Sequence, residues 1–259
     1  MKSRKVLRLL LSFIVLLFVS CFKDEDDNFK LVQKVIETAA NGNTETFLYK
    51  YNGNQLVTID GALERTNFTY TDRLITKMVI SNKTTQVAET IEYSYLLGKL
   101  VKLVSVGNYI IKYNAINDKT ILIEKFLLRA GNVEIKEYHG TLQIAKGNLI
   151  SEERIYDNTP AGEESKYSIS YEYDTRKNPF YNITGFKELW NQNDKISVNN
   201  NVRSAVITST TKGTQITSSA SLYSNNYKYD ADNYPKERVS ESTLLRNGVA
   251  GYLKADYFY

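Results

Sequence analysis

The chain has 259 residues, 33 Lys and Arg against 29 Asp and Glu, and a formal charge of +4. The excess lies at the amino end. Without Lys2, Arg4, Lys5 and Arg8 the bases equal the acids, at 29 each, so bulk attraction to nucleic acid is not expected. One Cys and one His exclude a disulfide framework and leave little for metal clusters or thiol–histidine chemistry. No cofactor is expected.

Residues 1–20 read as a signal peptide. A basic stretch from Lys2 to Arg8 precedes an apolar run from Leu9 to Val19, broken only by Ser12. That run is shorter than the ~20 residues a membrane helix needs and suits a signal h-region. It ends Val19-Ser20-Cys21, which resembles a bacterial lipobox. The resemblance implies cleavage before Cys21 and acylation there, and several acyl chains make a stable anchor. Residues 21–30 then form an acidic tether. Lys23, Asp24 and Glu25 within it resemble the surface-export signal of Bacteroidetes lipoproteins, which implies an outer membrane protein facing the exterior.

Residues 31–259 read as one antiparallel β domain. Short alternating segments recur between turn residues. Phe47 to Tyr51 precedes Asn52-Gly53-Asn54 and then Leu56 to Ile59. Phe68 to Tyr70 precedes Leu74 to Ile80, and Ile91 to Tyr95 precedes Gly98 and Leu100 to Val106. Tyr109 to Tyr113 leads to Ile121 to Ile123, and Leu142 to Ile144 leads to Leu149 and Ile150. The fold expected is all-β: a meander of successive hairpins forming a curved or barrel-like sheet.

Residues i and i+2 of a strand share a face. Tyr49 therefore points with Tyr51, Tyr93 with Tyr95, Tyr171 with Tyr173, and Tyr227 with Tyr229. These tyrosines have two readings. They form one wall of the core, rings buried and hydroxyls at the rim, or an exposed aromatic strip that stacks on sugars.

A helix is expected over 184–192, capped by Thr184, with Phe186, Leu189 and Trp190 on one face. Residues 191–201 read as an Asn-rich loop, and 202–223 as exposed or edge strands. For chemistry, Glu137 and His139 share a strand face and could form a carboxylate–imidazole pair, but no nucleophile motif or metal spacing accompanies them, and the plainer reading is a surface histidine near a turn. Glu152-Glu153 and Glu163-Glu164 raise a glycosidase reading, but adjacent strand residues face opposite ways and neither doublet makes a site alone. Asp230-Ala231-Asp232-Asn233 reads as a hairpin turn and not a calcium loop.

Tyr171-Glu172-Tyr173-Asp174, followed by Asn178-Pro179-Phe180, Ser197-Val198-Asn199-Asn200 and Tyr227-Lys228-Tyr229-Asp230 with Tyr234-Pro235, resembles Bacteroidetes lipoproteins of unknown function, a DUF4595-like group. It is more loosely similar to YD repeats of Rhs-type proteins. The resemblance implies a porin-like fold and assigns no catalytic residue. Charged residues interrupt most strand faces, so the expected barrel-like sheet hangs from its lipid in water and does not cross the membrane. The leading functional reading is a non-enzymatic binding or structural module with a glycan or an outer-membrane protein as partner. The alternative is an envelope glycoside hydrolase using loop carboxylates.

Overall fold

A computed structural model describes residues 29–244 and 250–259. Cys21, Lys23, Asp24 and Glu25 lie outside the described residues. The strands are β1 (Lys34–Ala39), β2 (Thr44–Asn52), β3 (Gln55–Asp60), β4 (Glu64–Thr71), β5 (Leu74–Asn82), β6 (Ala88–Leu96), β7 (Lys99–Ser105) and β8 (Tyr109–Ala115). They continue as β9 (Thr120–Arg129), β10 (Val133–Ala145), β11 (Asn148–Tyr156), β12 (Glu163–Lys177), β13 (Asn199–Lys212), β14 (Gln215–Tyr229), β15 (Pro235–Leu244) and β16 (Ala250–Phe258).

Each strand pairs antiparallel with the next, and β1 pairs with β16, Val35 opposite Tyr257. The hairpin meander thus closes into a barrel of 16 strands. Of the two readings for 202–223, exposed or edge strands, the structure has the first: residues 212–219 are exposed, while β13 lies between β12 and β14 and a closed sheet has no edge.

The pleat sorts residues between the two faces of the wall. In β6, Ile91 and Tyr93 are buried while Glu92 and Ser94 are exposed. In β2, Phe47, Tyr49 and Tyr51 are sheltered while Thr46, Leu48 and Lys50 face out. Across the barrel the inner face carries Leu56, Ile75, Met78, Leu103, Tyr113 and Ile123, all in one buried cluster. Mid-strand positions outside carry charge: Lys77, Glu92, Lys102, Lys112 and Lys166 are all exposed.

The turns after β2, β4, β6, β8, β10 and β14 lie at one end, where the long connection 178–198 between β12 and β13 also begins. At this end the strands are bulged. The register slips just before Tyr51 opposite Leu56, Tyr70 opposite Ile75, and Tyr95 opposite Leu100. Similar slips occur at Ile144 opposite Leu149 and Tyr229 opposite Pro235. Each bulge adds a residue to one strand and bends it.

The second tyrosine of a hairpin then reaches the preceding one. The Leu56 amide donates to the Tyr70 hydroxyl at 3.0 Å. Tyr95 donates to the Ile75 carbonyl at 2.7 Å, and Tyr173 donates to the Leu149 carbonyl. Tyr51 donates to the Val32 carbonyl at 2.8 Å. Burial pushes the Tyr70 phenol up to about 12, so it remains protonated at any ordinary pH.

The bond from Tyr95 sets a test. Tyr95→Phe keeps the ring and leaves the Ile75 carbonyl without its donor. It should lower unfolding stability by about 1–2 kcal/mol in urea denaturation. An unchanged midpoint would show that the ring alone holds the hairpins together.

Candidate ligand-binding lumen

The connection 178–198 folds into one end of the barrel. It is not the expected helix over 184–192 but two short 3-10 segments, Phe186–Glu188 and Trp190–Ile196. Gly185 precedes the first at φ +74°, with no side-chain cap. The Thr184 amide is drawn instead to the Asn54 carbonyl at 2.9 Å. The expected apolar grouping does form: Ile183, Phe186, Leu189 and Ile196 are buried in the main cluster, with Phe180 and Trp190 packed against it. Phe180 stacks on Tyr49 with ring centres 6.0 Å apart, and Trp190 meets Tyr113 edge-on at 5.3 Å. The segment is therefore a plug.

Polar residues moor it. The Asn178 side chain accepts from the Phe180 amide at 2.9 Å. Asp174 accepts from the Asn200 amide at 3.1 Å and from the Tyr229 hydroxyl. Fully buried Ser197 accepts from the Leu149 amide at 3.1 Å and donates to the Tyr173 hydroxyl at 2.9 Å. Asn182 bonds the Lys30 carbonyl at 2.8 Å and the Tyr234 hydroxyl at 2.7 Å. The motif residues Asp174, Asn178, Ser197 and Asn200 thus hold the plug in place.

Residues 190–195 form the floor of the remaining interior. Two lesser compartments stand on it. One, about 190 Å³, lies beneath β2–β5, with Phe68, Met78 and Phe186 in its walls beside Gln192 and Lys195. The other, about 200 Å³, lies beneath β8–β11 and holds the ion pair of Glu152 and Arg154. The largest, about 540 Å³, lies among β12–β16 above Asn193 and Asp194. Tyr171, Ser204, Asn225, Arg238 and Ser240 stand in its walls. Toward the hairpin tips, inward residues such as Thr217, Ser219 and Tyr223 become exposed, so the lumen opens at the end opposite the plug.

The electrostatics of this compartment are unusual for a barrel core. Burial raises the Asp194 carboxyl above its ordinary range, a shift opposed by Arg238 and Lys195. Arg238 lies 3.9 Å from Glu37, and its buried Nε has no hydrogen-bond acceptor. Asn193 sits at φ 53°, ψ −136°, a conformation that favours glycine and costs a side-chain-bearing residue about 1–3 kcal/mol.

The tyrosines proposed as binding aromatics are all placed inward. Tyr49, Tyr51, Tyr93, Tyr95, Tyr171, Tyr173, Tyr227 and Tyr229 are buried or half-buried. They wall the interior and form no open strip on the outside; of them, Tyr171 borders the largest compartment.

His139 faces outward beside Asp157, Nδ1 to Oδ2 2.9 Å, in a groove with Lys112, Glu124 and Lys136. This is the plain surface histidine, with Asp157 and not Glu137 as its carboxylate. A register slip between Lys136 and Tyr138 breaks the alternation, and Glu137 pairs with Lys125 at 3.0 Å. The acidic doublets split across the wall: Glu152 pairs with Arg154, Glu163 with Lys212 and Glu164 with Lys166. Asp230 and Asp232 form a turn that holds Lys30 at 2.7 and 2.6 Å. Among the described residues, no group of three or more His, Cys, Asp or Glu side chains is placed to hold a metal ion.

No family model and no curated protein matches the chain. Solved structures do. A porin-like protein from Bacteroides vulgatus ATCC 8482 aligns over 89% of this chain and 99% of its own, at 14% identity and a TM-score of 0.54. Another from Bacteroides uniformis ATCC 8492 aligns over 88% and 97%, at 11% identity and a TM-score of 0.42. The first likeness fixes the fold: this chain has a porin-like antiparallel barrel.

Two tests follow from the plug and its floor. A Cβ on Gly185 would stand 2.6 Å from the Arg73 carbonyl oxygen, at a φ that side chains avoid. Gly185→Ala should cost about 1–3 kcal/mol and shift the emission of Trp190, the sole tryptophan, to the red. An unaltered melt and spectrum would mean that the turn absorbs the methyl group.

Asp194→Asn tests the buried charge. The folded carboxyl titrates above its unfolded value of 3.8, so ionisation opposes folding as pH rises from about 4 through the folded value. The variant should therefore melt higher than the wild type at pH 7, with the gain vanishing below pH ~4. A lower melt at pH 7 would mean that attraction to Arg238 outweighs desolvation.

Proposed function

We propose that the protein is a non-enzymatic, lipid-anchored binding cup of the outer membrane, similar in kind to the DUF4595-like lipoproteins its motifs resemble. One observation carries this reading: the main apolar cluster lies inside the barrel, and lysines interrupt the outer face at mid-strand. A membrane barrel needs a continuous apolar outer band, and a Lys or Arg there costs about 2–4 kcal/mol at the bilayer midplane. Lys77, Lys102, Lys112 and Lys166 all stand outward. The wall suits water, and the plug over 178–198 leaves a cup in place of a through-channel.

Cys21 supplies the anchor in this reading, and Lys23, Asp24 and Glu25 direct the cup to the exterior. The chain enters the barrel at the plugged end, where Lys30 is gripped by Asp230 and Asp232. The open lumen therefore points away from the membrane, toward a glycan or another partner.

The reading is tested by fractionation and conductance. Wild-type protein should need detergent for release, while Cys21→Ala, exported with a cleavable signal, should appear in the soluble fraction. Purified protein should add no conductance to a planar bilayer. Alkali-resistant membrane residence of the Cys21→Ala form, or discrete channel openings, would sink the proposal.

A further inference from the structure

We infer that the compartment among β12–β16 binds a neutral sugar, with Asp194 and Asn193 at its floor, Arg238 on its wall and Tyr223 at its mouth. The inference rests on the cup reading and names the chemistry that the cup receives.

Space is the first argument. A volume of about 540 Å³ falls within the range of small-molecule sites, and short side chains recur on the inner face above it: Ser204 on β13 and Ser242 on β15 flank Tyr223 of β14, and Ser240 stands opposite Asn225. A structural barrel core fills such positions with bulk, as this chain does among β2–β9 with Leu56, Phe68, Met78 and Leu103. The interior is thus more fully packed among β2–β9, where the compartments are small, than among β12–β16.

Polar chemistry is the second. The buried Nε of Arg238 lacks an acceptor, a state that folded proteins rarely leave uncompensated. A ligand oxygen would satisfy it. Asp194 offers an acceptor from the floor, under a desolvation load. Both signs of charge are present, with Glu37 also 3.9 Å from Arg238. A carboxylate, sulfate or phosphate would gain Arg238 but meet Asp194 and Glu37, and an amine would meet the reverse. A hydroxyl does both jobs, donating to the carboxylate and accepting from the guanidinium. Vicinal hydroxyls on one ring match this arrangement, and the Asn193 amide adds a donor and an acceptor beside it.

Aromatic placement is the third. Tyr171 lies deep and Tyr223 lies at the opening, 41% exposed despite facing inward. Between them stand Ile169, Val206 and Leu253, apolar surface suited to the C–H faces of a sugar ring.

The floor holds the fourth. Asn193 keeps a backbone conformation that glycine would adopt with less strain, and strain retained in this way clusters at binding sites.

Detergent-solubilised lipoprotein should be titrated calorimetrically with glucose, galactose, N-acetylglucosamine, maltose and cellobiose, with glucuronate and glucose 6-sulfate as charged counterparts. The same protein should be applied to a printed array of neutral and acidic oligosaccharides. At least one neutral sugar is expected to bind, with the charged counterparts at least ten-fold weaker. Asp194→Asn should lose ten-fold or more in affinity while melting higher than wild type, a split that a merely structural residue would not give. Asn193→Gly should show the same pairing of weaker binding and a higher melt. Tyr223→Ala, at the exposed mouth, should melt like the wild type but bind several-fold more weakly, and Lys50→Ala on the outer wall should match the wild type in both.

Binding to no neutral sugar at millimolar concentration overturns the inference. So does binding confined to acidic sugars, or binding indifferent to both Asp194→Asn and Tyr223→Ala. These outcomes leave the anchored cup standing, because that reading fails separately, on extraction and conductance.

Discussion

The architecture depends on a tyrosine hydroxyl reaching the backbone of the preceding hairpin where that hairpin is bulged. Tyr70 meets Leu56, Tyr95 meets Ile75 and Tyr173 meets Leu149. A bulge disrupts the ladder and strands a backbone group that must find a partner. The phenol supplies it from the inner face, at the end of a rigid side chain that also fills space. Bending the strands and satisfying the bend are thus linked. The second tyrosine of each pair sits at the slip, while the first packs deeper in the wall. Repeated along the meander, the bend draws the strands together at one end, where the plug seals them.

The plug divides the interior into regions of different character. Its apolar side chains merge with the tyrosine wall beneath β2–β9, and its polar run 190–195 turns toward the lumen. Ser197, Asn178 and Asn200 are spent on mooring, each with bonds to backbone or to another side chain. Asn193, Asp194 and Arg238 are not absorbed in that way. A strained backbone, a desolvated carboxyl and an unpaired guanidinium nitrogen in one compartment form a local cost that the well-packed remainder sustains. Such an imbalance is characteristic of binding sites rather than of cores.

Much of the wall was legible in the sequence because the period of a strand is short and its turns are chemically distinctive. The hairpins from Phe47 to Ile150 stand where alternation and turn residues put them, and the pairs at i and i+2 do share the inner face. Closure was not legible, since nothing local in 202–223 separates an edge strand from a central one. The plug was misread as a helix because Phe186, Leu189 and Trp190 group equally well in a tighter turn, and Gly185 at positive φ starts that turn without a cap. The possible pairing of His139 with Glu137 does not form because one bulged residue inverts the parity it needs, and the surface-histidine reading holds. The lumen residues carry no local mark: the register alone puts Arg238 opposite Tyr227 and Ala255 on the inner face. The Asn-rich run at 191–201 was the available signal, and it reads as a loop until its position beneath a cavity is known.

The entry of the chain at the plugged end has a consequence for how such a molecule samples its surroundings. With the anchor proposed at Cys21, the stretch from there to Lys30 could reach at most about 30 Å. A copy anchored as proposed would be moored by its closed base, with its mouth displaced from the lipid by the height of the barrel. Copies diffusing in one leaflet share a thin shell of solution at a local concentration set by tether length. A polymer that presents many identical ends to that shell would be held by several weak contacts at once. Individual affinity can then remain modest while retention at the surface is strong.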